Sequence, residues 1–473
     1  MDILSKLQEN KEKIGDKPFL FTEKETYTFR EVWEKSCEIS AFLKKKGLKR
    51  GDRVAIISEN SPYFVFSLFG VMHAGGIPVP INYLLSEEMV EIIKDVSPAV
   101  ILISPKFEEK QKLFSNIADV YFLPECKEKG GSSPSLTEEA VIIYTSGSTG
   151  FPRGVILTHQ NLIADITGCL KRIKVYPEDR FSVVLPLFHS FSLTTTLLTP
   201  LFSGAGVVIS PEIKFFEKAL EILLRHKTTI FISIPFIYKL LVDLPISSLP
   251  FRFCVSGGEK LLPSLEREFE TKFNIPILQG YGLTEASPVV SLNPLGREKE
   301  GSVGPPLEGI KIKIHKEKSK SRIGEIIIKG PTIMKGYWGK PEITQEVIRE
   351  GWLYTGDLGF MDEEGYLFLV ERKKDMVILK GLNVYPSEIE RVLMEIPQIK
   401  ECAVVGVKKK DKEIIVAFVK KVGEISEKEI KRYLHKKVAS YKIPRIIEFV
   451  EDFPYTPTGK IDKRKLRMSY GEG

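Results

Sequence analysis

The sequence predicts an α/β fold: two doubly wound α/β layers with a small distorted β-barrel, followed by a small α+β domain. Three observations support this prediction. Short buried strand patterns alternate with helix patterns over the first 300 residues, as in doubly wound parallel sheets. Between residues 301 and 359 short alternating runs separated by Gly and Pro dominate, which is typical of a small barrel. Beyond Arg372 the order strand, helix, two strands, helix, strand indicates a compact α+β domain.

The individual elements follow from apolar periodicity, capping residues and β-branched runs. Thr28, a typical capping residue, is expected to begin a helix that extends through Leu43. Further helices are predicted over 63–74, 216–226, 386–395 and 427–438. Strands are predicted over 53–58, 100–104, 140–144, 181–185, 206–210, 229–233, 251–256, 275–278, 311–314, 324–329, 376–379, 403–407, 413–419 and 446–450. The segment 127–139, rich in Gly, Ser and Pro at its centre, is predicted as a linker.

Composition excludes several classes of protein. The 473 residues are 43% hydrophobic and 28% charged, as in ordinary globular proteins of more than one domain. The five cysteines form no CxxC pattern, which fits a reducing compartment and argues against a disulfide framework. The N-terminus lacks the apolar core of a secretory signal, and no uninterrupted run of about 18 apolar residues exists. We therefore expect a cytoplasmic protein without a transmembrane anchor.

The net charge of +7 is unevenly distributed. From Glu371 onward there are 24 Lys and Arg residues against 16 Asp and Glu, whereas the preceding chain has 45 against 46. A basic C-terminal surface could bind a polyphosphate cofactor or an acidic protein, or it could be a solvated lysine-rich face. Exposed aromatics are not interleaved with these charges, so we do not expect nucleic-acid binding.

The most informative stretch runs from Ala140 to Gly154, where an apolar strand pattern leads directly into Thr145-Ser146-Gly147-Ser148-Thr149-Gly150. Glycines among hydroxyl side chains let a loop turn sharply while its N–H and O–H groups converge on an anion, most simply a phosphate. A flexible surface turn is the alternative. The P-loop of nucleoside triphosphate kinases needs a Lys after the last Gly, but here Phe151 and Pro152 follow Gly150.

A second candidate loop, residues 280–285, follows the predicted strand 275–278. We expect it in the same sheet as the first loop, at the carboxyl ends of strands, where doubly wound sheets bind ligands. Tyr281 offers a flat face to a base, Thr284 a hydroxyl to a phosphate, and Glu285 a hard oxygen to Mg²⁺. Each of these residues could instead merely complete a turn.

Five motifs in a fixed order give the chain a specific resemblance. They are residues 145–150, Gly280 to Glu285, Tyr354-Thr355-Gly356-Asp357, Arg372-Lys373-Lys374-Asp375 with Gly381-Leu382-Asn383-Val384, and Pro457-Thr458-Gly459-Lys460. With these motifs the chain resembles the acyl-adenylate-forming (AMP-binding) superfamily of acyl-CoA synthetases, standalone adenylation domains and beetle luciferases. The segment 280–294 looks most like that of medium- and long-chain fatty acyl-CoA synthetases.

The resemblance implies a two-step reaction with ATP, Mg²⁺ and coenzyme A. A fatty acid carboxylate would attack the α-phosphate of ATP and release pyrophosphate, and a thiol would then attack the acyl-AMP and release AMP. It also implies an AMP-binding domain over 1–372 and a mobile C-terminal domain over 373–473 that swings about a hinge near Lys374. Phosphoryl-type transfer chiefly needs positioning and charge neutralisation, so no protein nucleophile is required.

The same resemblance implies roles for individual residues. Residues that would bind the nucleotide phosphates are Thr145, Ser146, Gly147, Ser148, Thr149, Gly150 and Arg153. Residues that would enclose the adenine are Gly257, Gly258, Glu259 and Tyr281, and Gly280 and Gly282 are also expected to bind the cofactor. Asp357 and Arg372 would hold the ribose, and Glu285 with Thr149 would bind Mg²⁺. Lys380 and Gly381 would approach CoA in the second arrangement of the domains.

Four residues are expected to be catalytic: Lys460, Glu285, His189 and Thr284. Lys460 would bridge the substrate carboxylate and the α-phosphate in the first step only. His189 matches the family position beside the acyl group, although an isolated His is more often a core residue. The apolar runs 193–202 and 231–241 would line the acyl chain, but the residue that sets its length cannot be read from the sequence.

The sequence departs from the family pattern in two respects. Arg153 replaces the usual loop Lys, and a planar guanidinium differs from a point charge. The chain is also short for the family, which puts accessory lid and dimerisation elements in doubt and leaves a homodimer and peripheral membrane contact open.

The acceptor could be an acidic acyl carrier protein instead of CoA. An adenylate-using oxygenase and a non-catalytic nucleotide-binding regulator are the remaining alternatives.

Overall fold

A computed structural model describes residues 2–84, 86–114, 116–126, 128, 136–145, 152–211, 215–316, 321–379, 382–409, 412–455 and 461–471. The chain divides into two compact units. The first unit comprises Met1–Ile312, Ile328–Leu353 and Glu363–Leu367, and the second comprises Lys313–Ile327, Tyr354–Asp362 and Phe368–Gly473.

The α-helices begin mostly at capping residues or prolines. They are α1 Ile3–Ile14, α2 Phe29–Lys45, α3 Pro62–Ala74, α4 Ser86–Val96, α5 His159–Arg172, α6 Ser190–Ser192, α7 Thr199–Ser203, α8 Phe216–Arg225, α9 Pro235–Asp243, α10 Pro263–Phe273, α11 Pro341–Val347, α12 Pro386–Leu393, α13 Glu427–His435 and α14 Lys463–Gly471. Thr28 begins α2 as predicted, because its hydroxyl accepts from the Glu31 N–H while the Glu31 carboxylate accepts from the Thr28 N–H. Residues Leu193–Leu198 form a π-helix between α6 and α7.

Every predicted strand is present to within a few residues, and the structure has further strands that the sequence did not indicate, the longest at Trp352–Met361. They are β1 Pro18–Phe21, β2 Thr26–Thr28, β3 Arg53–Ile57, β4 Ile77–Pro80, β5 Val100–Ile103, β6 Asp119–Phe122, β7 Glu139–Thr145, β8 Arg153–Thr158, β9 Arg180–Val183, β10 Gly206–Ile209, β11 Ile230–Ser233, β12 Phe253–Ser256, β13 Ile277–Gly282, β14 Val289–Leu292, β15 Lys311–His315, β16 Gly324–Lys329, β17 Gly336–Tyr337, β18 Ile348–Arg349, β19 Trp352–Met361, β20 Leu367–Arg372, β21 Val377–Leu379, β22 Leu382–Val384, β23 Ile399–Lys409, β24 Lys412–Lys421 and β25 Ile446–Phe449.

An eight-stranded sheet in the order β14-β13-β12-β11-β9-β10-β1-β2 dominates the first unit. Strands β13 to β1 in this order run parallel, and β14 and β2 are antiparallel edges. Apolar side chains of α8, α9 and α10 pack on it, among them the fully buried Tyr238 and Phe269. This alternation of buried strands and covering helices confirms the predicted α/β class.

A second layer of the first unit consists of a parallel four-stranded sheet, β4-β3-β5-β6, and a three-stranded sheet, β17-β8-β7. The expectation that β7 and β13 share one sheet is wrong, since β7 pairs antiparallel with β8, with Thr145 opposite Arg153. The chain therefore reverses after the glycine-rich loop, and a local partner satisfies the hydrogen bonds of β7. Among the residues described, no helix combines the length and apolarity needed to cross a bilayer.

The region predicted as a barrel forms a five-stranded sheet in the order β15-β16-β19-β18, with β20 beside β19. In the second unit, β23, β24 and β25 form a three-stranded sheet, with β23 and β24 antiparallel and β24 and β25 parallel. Apolar residues of α12 and α13 pack on one face of this sheet, and Leu466 of α14 packs on the other. This arrangement confirms the predicted α+β organisation of the C-terminal region. The linker predicted over 127–139 lies largely outside the described residues.

Candidate active site

Three loops of the first unit lie at one edge of the eight-stranded sheet. Because β9, β11, β12 and β13 are parallel, their carboxyl ends lie at the same edge. The chain that follows β9 carries His189, the chain that follows β12 carries Gly257, Gly258 and Glu259, and the end of β13 leads to Thr284 and Glu285. The structure thus brings together predicted residues that are up to 96 positions apart in the sequence.

The His189 segment is joined to the Glu285 segment by a pair of hydroxyl groups. His189 precedes α6 as its N-cap, and its ring lies 4.4 Å from the ring of Phe188. In the next position, Ser190 Oγ lies 2.8 Å from Thr284 Oγ1 and is buried. The predicted phosphate-binding hydroxyl of Thr284 is therefore held by a neighbouring loop.

Gly257 brings a third loop into contact with the same segment. A Cβ atom at Gly257 would lie 2.9 Å from Phe191 Cζ, so a larger residue here would require the Phe191 ring to move. The Gly257 N–H donates to the Ser233 carbonyl at the end of β11, over 3.2 Å. The loop predicted to enclose the adenine is therefore fixed both to the sheet and to Phe191.

Gly280, Tyr281 and Gly282 lie within β13 and not after it, so the predicted strand end at residue 278 is wrong. The strand continues because β14 pairs with it, with Tyr281 opposite Ser291. A Cβ atom at Gly282 would lie 1.7 Å from the Pro288 carbonyl oxygen, which explains why a glycine is needed in this strand. Tyr281 is 7% exposed.

Glu285 lies in a 3₁₀ turn, Thr284–Ala286, directly beyond this strand. Its Oε1 accepts a hydrogen bond of 2.8 Å from the phenol of Tyr337, and its carbonyl accepts from the Met334 N–H. Burial and the neighbouring Glu285 carboxylate raise the pKa of the Tyr337 phenol, and Arg153 opposes this rise. The Arg153 guanidinium lies over the Tyr337 ring, 5.5 Å from the ring centroid.

A single carboxylate at this position fits a magnesium site. Across the ranges that the structure describes, no group of three His, Cys, Asp or Glu side chains could hold a metal. Mg²⁺ is usually bound by one or two carboxylates together with substrate phosphates, so a larger protein cluster is not required. Glu285 would be the protein ligand. The second predicted ligand, Thr149, lies outside the described residues.

The phosphate loop is described only at its two ends. Thr145 ends β7 and Arg153 begins β8, and the two residues are paired across the hairpin. The Trp338 N–H donates to the Gly154 carbonyl over 2.7 Å, which joins the hairpin to the segment that carries Tyr337. Ser146, Gly147, Ser148, Thr149 and Gly150 lie outside the described residues.

In the second unit, Asp357 and Arg372, both predicted to hold the ribose, form an ion pair, with Asp357 Oδ1 3.0 Å from Arg372 Nε. Asp357 is 7% exposed and follows Gly356, whose φ of 72° is left-handed. The Gly356 N–H donates to Glu325 Oε1, and Glu325 also pairs with Lys373 at 3.0 Å. The carboxylate predicted to bind the ribose is thus part of a network of ion pairs.

The predicted hinge residue Lys374 lies next to this network. Burial lowers the pKa of its amine, Asp375 raises it, and Arg372 lowers it further. Asp375 in turn forms an ion pair with Arg467 of α14. Lys380, Gly381 and Lys460 lie outside the described residues, so their roles stay predictions.

Sequence reasoning missed two residues of the site, Ser190 and Tyr337. Ser190 adjoins His189, and its position at the start of a helix was a usable signal. Tyr337 had no local signal, since it is 52 positions from Glu285 and reaches it only because β17 pairs with β8.

The chain matches the family model "AMP-binding enzyme" over residues 7–338 and the model "AMP-binding enzyme C-terminal domain" over residues 388–460. It is 34% identical to a long-chain-fatty-acid–CoA ligase of Bacillus subtilis (strain 168), over 93% of this chain and 89% of that protein. It is 33% identical to a 2-succinylbenzoate–CoA ligase of Bacillus cereus (strain AH820), over 96% of this chain and 95% of that protein.

Solved structures of similar fold carry the same ligands that the motifs imply. ATP-bound MatB from Rhodopseudomonas palustris has a TM-score of 0.93 and 28% identity, over 100% of this chain and 99% of that one. The o-succinylbenzoate CoA synthetase (MenE) from Bacillus subtilis, in complex with ATP and a magnesium ion, has a TM-score of 0.89 and 27% identity, over 98% of each chain. The chain therefore belongs to the AMP-binding enzyme family and is an AMP-forming acid–thiol ligase, and the usual substrates and cofactors of such ligases are ATP with Mg²⁺ and CoA.

Proposed function

We propose that this enzyme activates a fatty acid in two steps. The acid carboxylate attacks the α-phosphate of ATP, the bond to pyrophosphate breaks, and acyl-AMP forms. The thiol of CoA then attacks the acyl carbon, loses its proton, and AMP leaves with the electron pair of the broken bond. The convergence of the His189, Gly257 and Glu285 segments at one sheet edge is the observation that carries this proposal.

The residues at this edge act mainly by positioning. The Ser190–Thr284 hydroxyl pair and the loop that begins at Thr145 would orient the phosphates, and the Gly257 loop with Tyr281 would bound the adenine. Bound Mg²⁺ would neutralise negative charge on the phosphates. Asp357 is acceptor-only and suits the two vicinal hydroxyls of a ribose, while Arg372 orients its carboxylate.

Under this proposal Lys460 bridges the substrate carboxylate and the α-phosphate, and it acts in the first step alone. Lys460→Ala should slow adenylation by about 10² to 10³, by analogy with the removal of one charge-stabilising donor. Thiolation of supplied acyl-AMP should continue at a rate close to that of the parent enzyme. Both rates are measured by rapid quench, with Lys465→Ala as the control because Lys465 is an exposed cation five residues further on. Equal losses in both steps would contradict the assignment.

A fatty acid is proposed as the substrate because the apolar runs 193–202 and 231–241 flank the site in the sequence, and because a long-chain-fatty-acid–CoA ligase is among the relatives. An aliphatic tail gains about 0.8 kcal/mol per buried methylene. The 2-succinylbenzoate–CoA ligases among the relatives favour an aromatic dicarboxylate as the competing substrate.

A panel of acids separates these substrates. Acetate, octanoate, palmitate, benzoate and 2-succinylbenzoate are compared by kcat/KM for pyrophosphate release with saturating ATP and CoA. The proposal predicts the largest value for octanoate or palmitate, and a largest value for either aromatic acid would overturn the fatty-acid assignment. Pyrophosphate release without CoA consumption, together with acyl transfer when an acyl carrier protein is added, would identify the carrier protein as the acceptor.

A further inference from the structure

Tyr337 contacts both Arg153, at the end of the phosphate loop, and Glu285, the predicted magnesium ligand. It is half of the two-residue strand β17, which pairs with β8, so that Tyr337 is opposite Val155. The same segment reaches the Glu285 turn, where the Met334 N–H donates to the Glu285 carbonyl over 2.9 Å. One short strand therefore connects the end of the phosphate loop to the predicted magnesium ligand.

The Tyr337 hydroxyl acts on Glu285 directly. Its hydrogen bond to Oε1 is 2.8 Å long, and the tyrosine is 7% exposed, so water competes little for the phenol. A hydrogen bond to an ionised carboxylate in such a place is stronger than an ordinary one. It restricts rotation of the carboxylate, which is otherwise free to turn about its last side-chain bond.

The Tyr337 ring acts on Arg153. The guanidinium carbon lies 5.5 Å from the ring centroid, within the range of a favourable cation–π contact. A planar guanidinium can lie flat on an aromatic ring as well as form directed hydrogen bonds, whereas the ammonium of a lysine acts as a point charge. The ring therefore offers a reason why an arginine stands at the position of the usual lysine.

We propose that Tyr337 is a positioning residue: its hydroxyl orients the Glu285 carboxylate toward the metal–nucleotide, and its ring holds Arg153 at the end of the phosphate loop. This inference rests on the proposed function, since it assumes that Glu285 meets a divalent cation bound to ATP. Tyr337 itself touches neither the reacting carboxylate nor the α-phosphate in this scheme.

Metal affinity in the absence of turnover tests the proposal. Mn²⁺ is titrated into the full-length protein with α,β-methylene-ATP, and free Mn²⁺ is followed by electron paramagnetic resonance. Tyr337→Phe keeps the ring and removes the hydroxyl, so it should raise the apparent Kd for Mn²⁺ on the order of tenfold, the effect of one hydrogen bond to a charged group. Tyr433→Phe is the matched control, because the Tyr433 phenol also donates to a glutamate, Glu395, but in the second unit.

The same substitution in the Glu285→Gln variant distinguishes a positioning role of Tyr337 from a general loss of structure. In Glu285→Gln the further change Tyr337→Phe should alter the apparent Kd by less than about twofold, because the charged acceptor is already gone. An unchanged Kd in Tyr337→Phe alone, or an equal tenfold loss in both backgrounds, would overturn the proposal. Failure of the proposed function is distinguishable, since it would appear as absent pyrophosphate release with every acid while the Mn²⁺ titrations still reported the effect of Tyr337.

Discussion

Glu266, a buried residue of the first unit, and Glu390, a partly buried residue of the second, show how differently the two units hold their polar groups. Glu266 accepts a hydrogen bond of 2.9 Å from the neutral amide of Gln279, in the strand that leads to Tyr281. Glu390 pairs with Lys463 Nζ at 2.7 Å and accepts from the Val404 N–H at 2.7 Å. Burial raises the pKa of both carboxyl groups, and Lys463 opposes the rise at Glu390.

The predicted site residues of the two units also differ in the kind of contact that holds them. In the first unit, neutral or singly charged contacts fix the loops: Ser190 to Thr284, and Tyr337 to Glu285. In the second unit, ion pairs such as Asp357 to Arg372 and Asp375 to Arg467 hold the segments that carry the predicted ribose-binding and hinge residues. Removal of one partner should therefore destabilise the second unit strongly, whereas the first unit should contain a carboxyl group whose neutralisation is favourable.

The largest effect is expected from Glu390→Ala. It leaves Lys463 with much of its side chain buried and without its carboxylate, which should destabilise the second unit by about 2 to 3 kcal/mol, less than for a fully buried pair. Cys402 reports this locally, because its partly buried thiol lies 3.5 Å from the Glu390 carbonyl oxygen. Labelling of Cys402, followed by mass spectrometry under native conditions, should become about 30 to 150 times faster.

Glu395→Ala is the control for this measurement. Glu395 pairs with Lys437 at 3.1 Å on the surface of the same unit, where an ion pair contributes only about 0 to 1 kcal/mol. If Cys402 in Glu390→Ala reacted no faster than in Glu395→Ala, the distinction between partly buried and surface ion pairs in this unit would be wrong.

A smaller effect of opposite sign is expected from Glu266→Gln. Burial raises the pKa of Glu266 from 4.5 to about 7. The unfolded chain releases this proton near pH 4.5 while the folded chain keeps it, so the stability present below pH 4.5 is lost progressively up to about pH 7. Glutamine removes this loss and still accepts from Gln279, so the free energy of unfolding at pH 8 should rise by about 1 to 3 kcal/mol.

Urea unfolding at pH 4 and at pH 8 measures this gain. The variant and the parent should have nearly equal stability at pH 4, where both side chains are mostly neutral in both states. Glu268→Gln, an exposed position on the same helix, should change stability at neither pH. A gain of equal size at both pH values would show that packing and not ionisation is responsible.

Much of the fold could be predicted because its signals are local. Thr28 begins a helix through its own side chain, and the β-branched runs of β3, β5 and β11 lie within a residue or two of the predicted strands. The loops at the ends of β12 and β13 could be placed at one sheet edge because the carboxyl ends of parallel strands coincide.

The features of the fold and site that could not be predicted depend on pairing between distant segments. The sequence does not show that β7 pairs with β8 and leaves the eight-stranded sheet, or that β14 extends β13 through two glycines. Tyr337 reaches Glu285 only through the pairing of β17 with β8, more than 180 positions apart in the chain. Local patterns carry no information about such partners.

The exchange of labelled pyrophosphate into ATP, measured without CoA, tests most directly the proposal that the enzyme forms acyl-AMP from a fatty acid and ATP. It reports the first step alone, because acyl-AMP must form on the enzyme and then react backward with pyrophosphate. We expect exchange that requires both a fatty acid and Mg²⁺ and that falls by about 10² to 10³ in Lys460→Ala. Absence of exchange with every acid, in a protein that still binds ATP, would contradict the proposed first step.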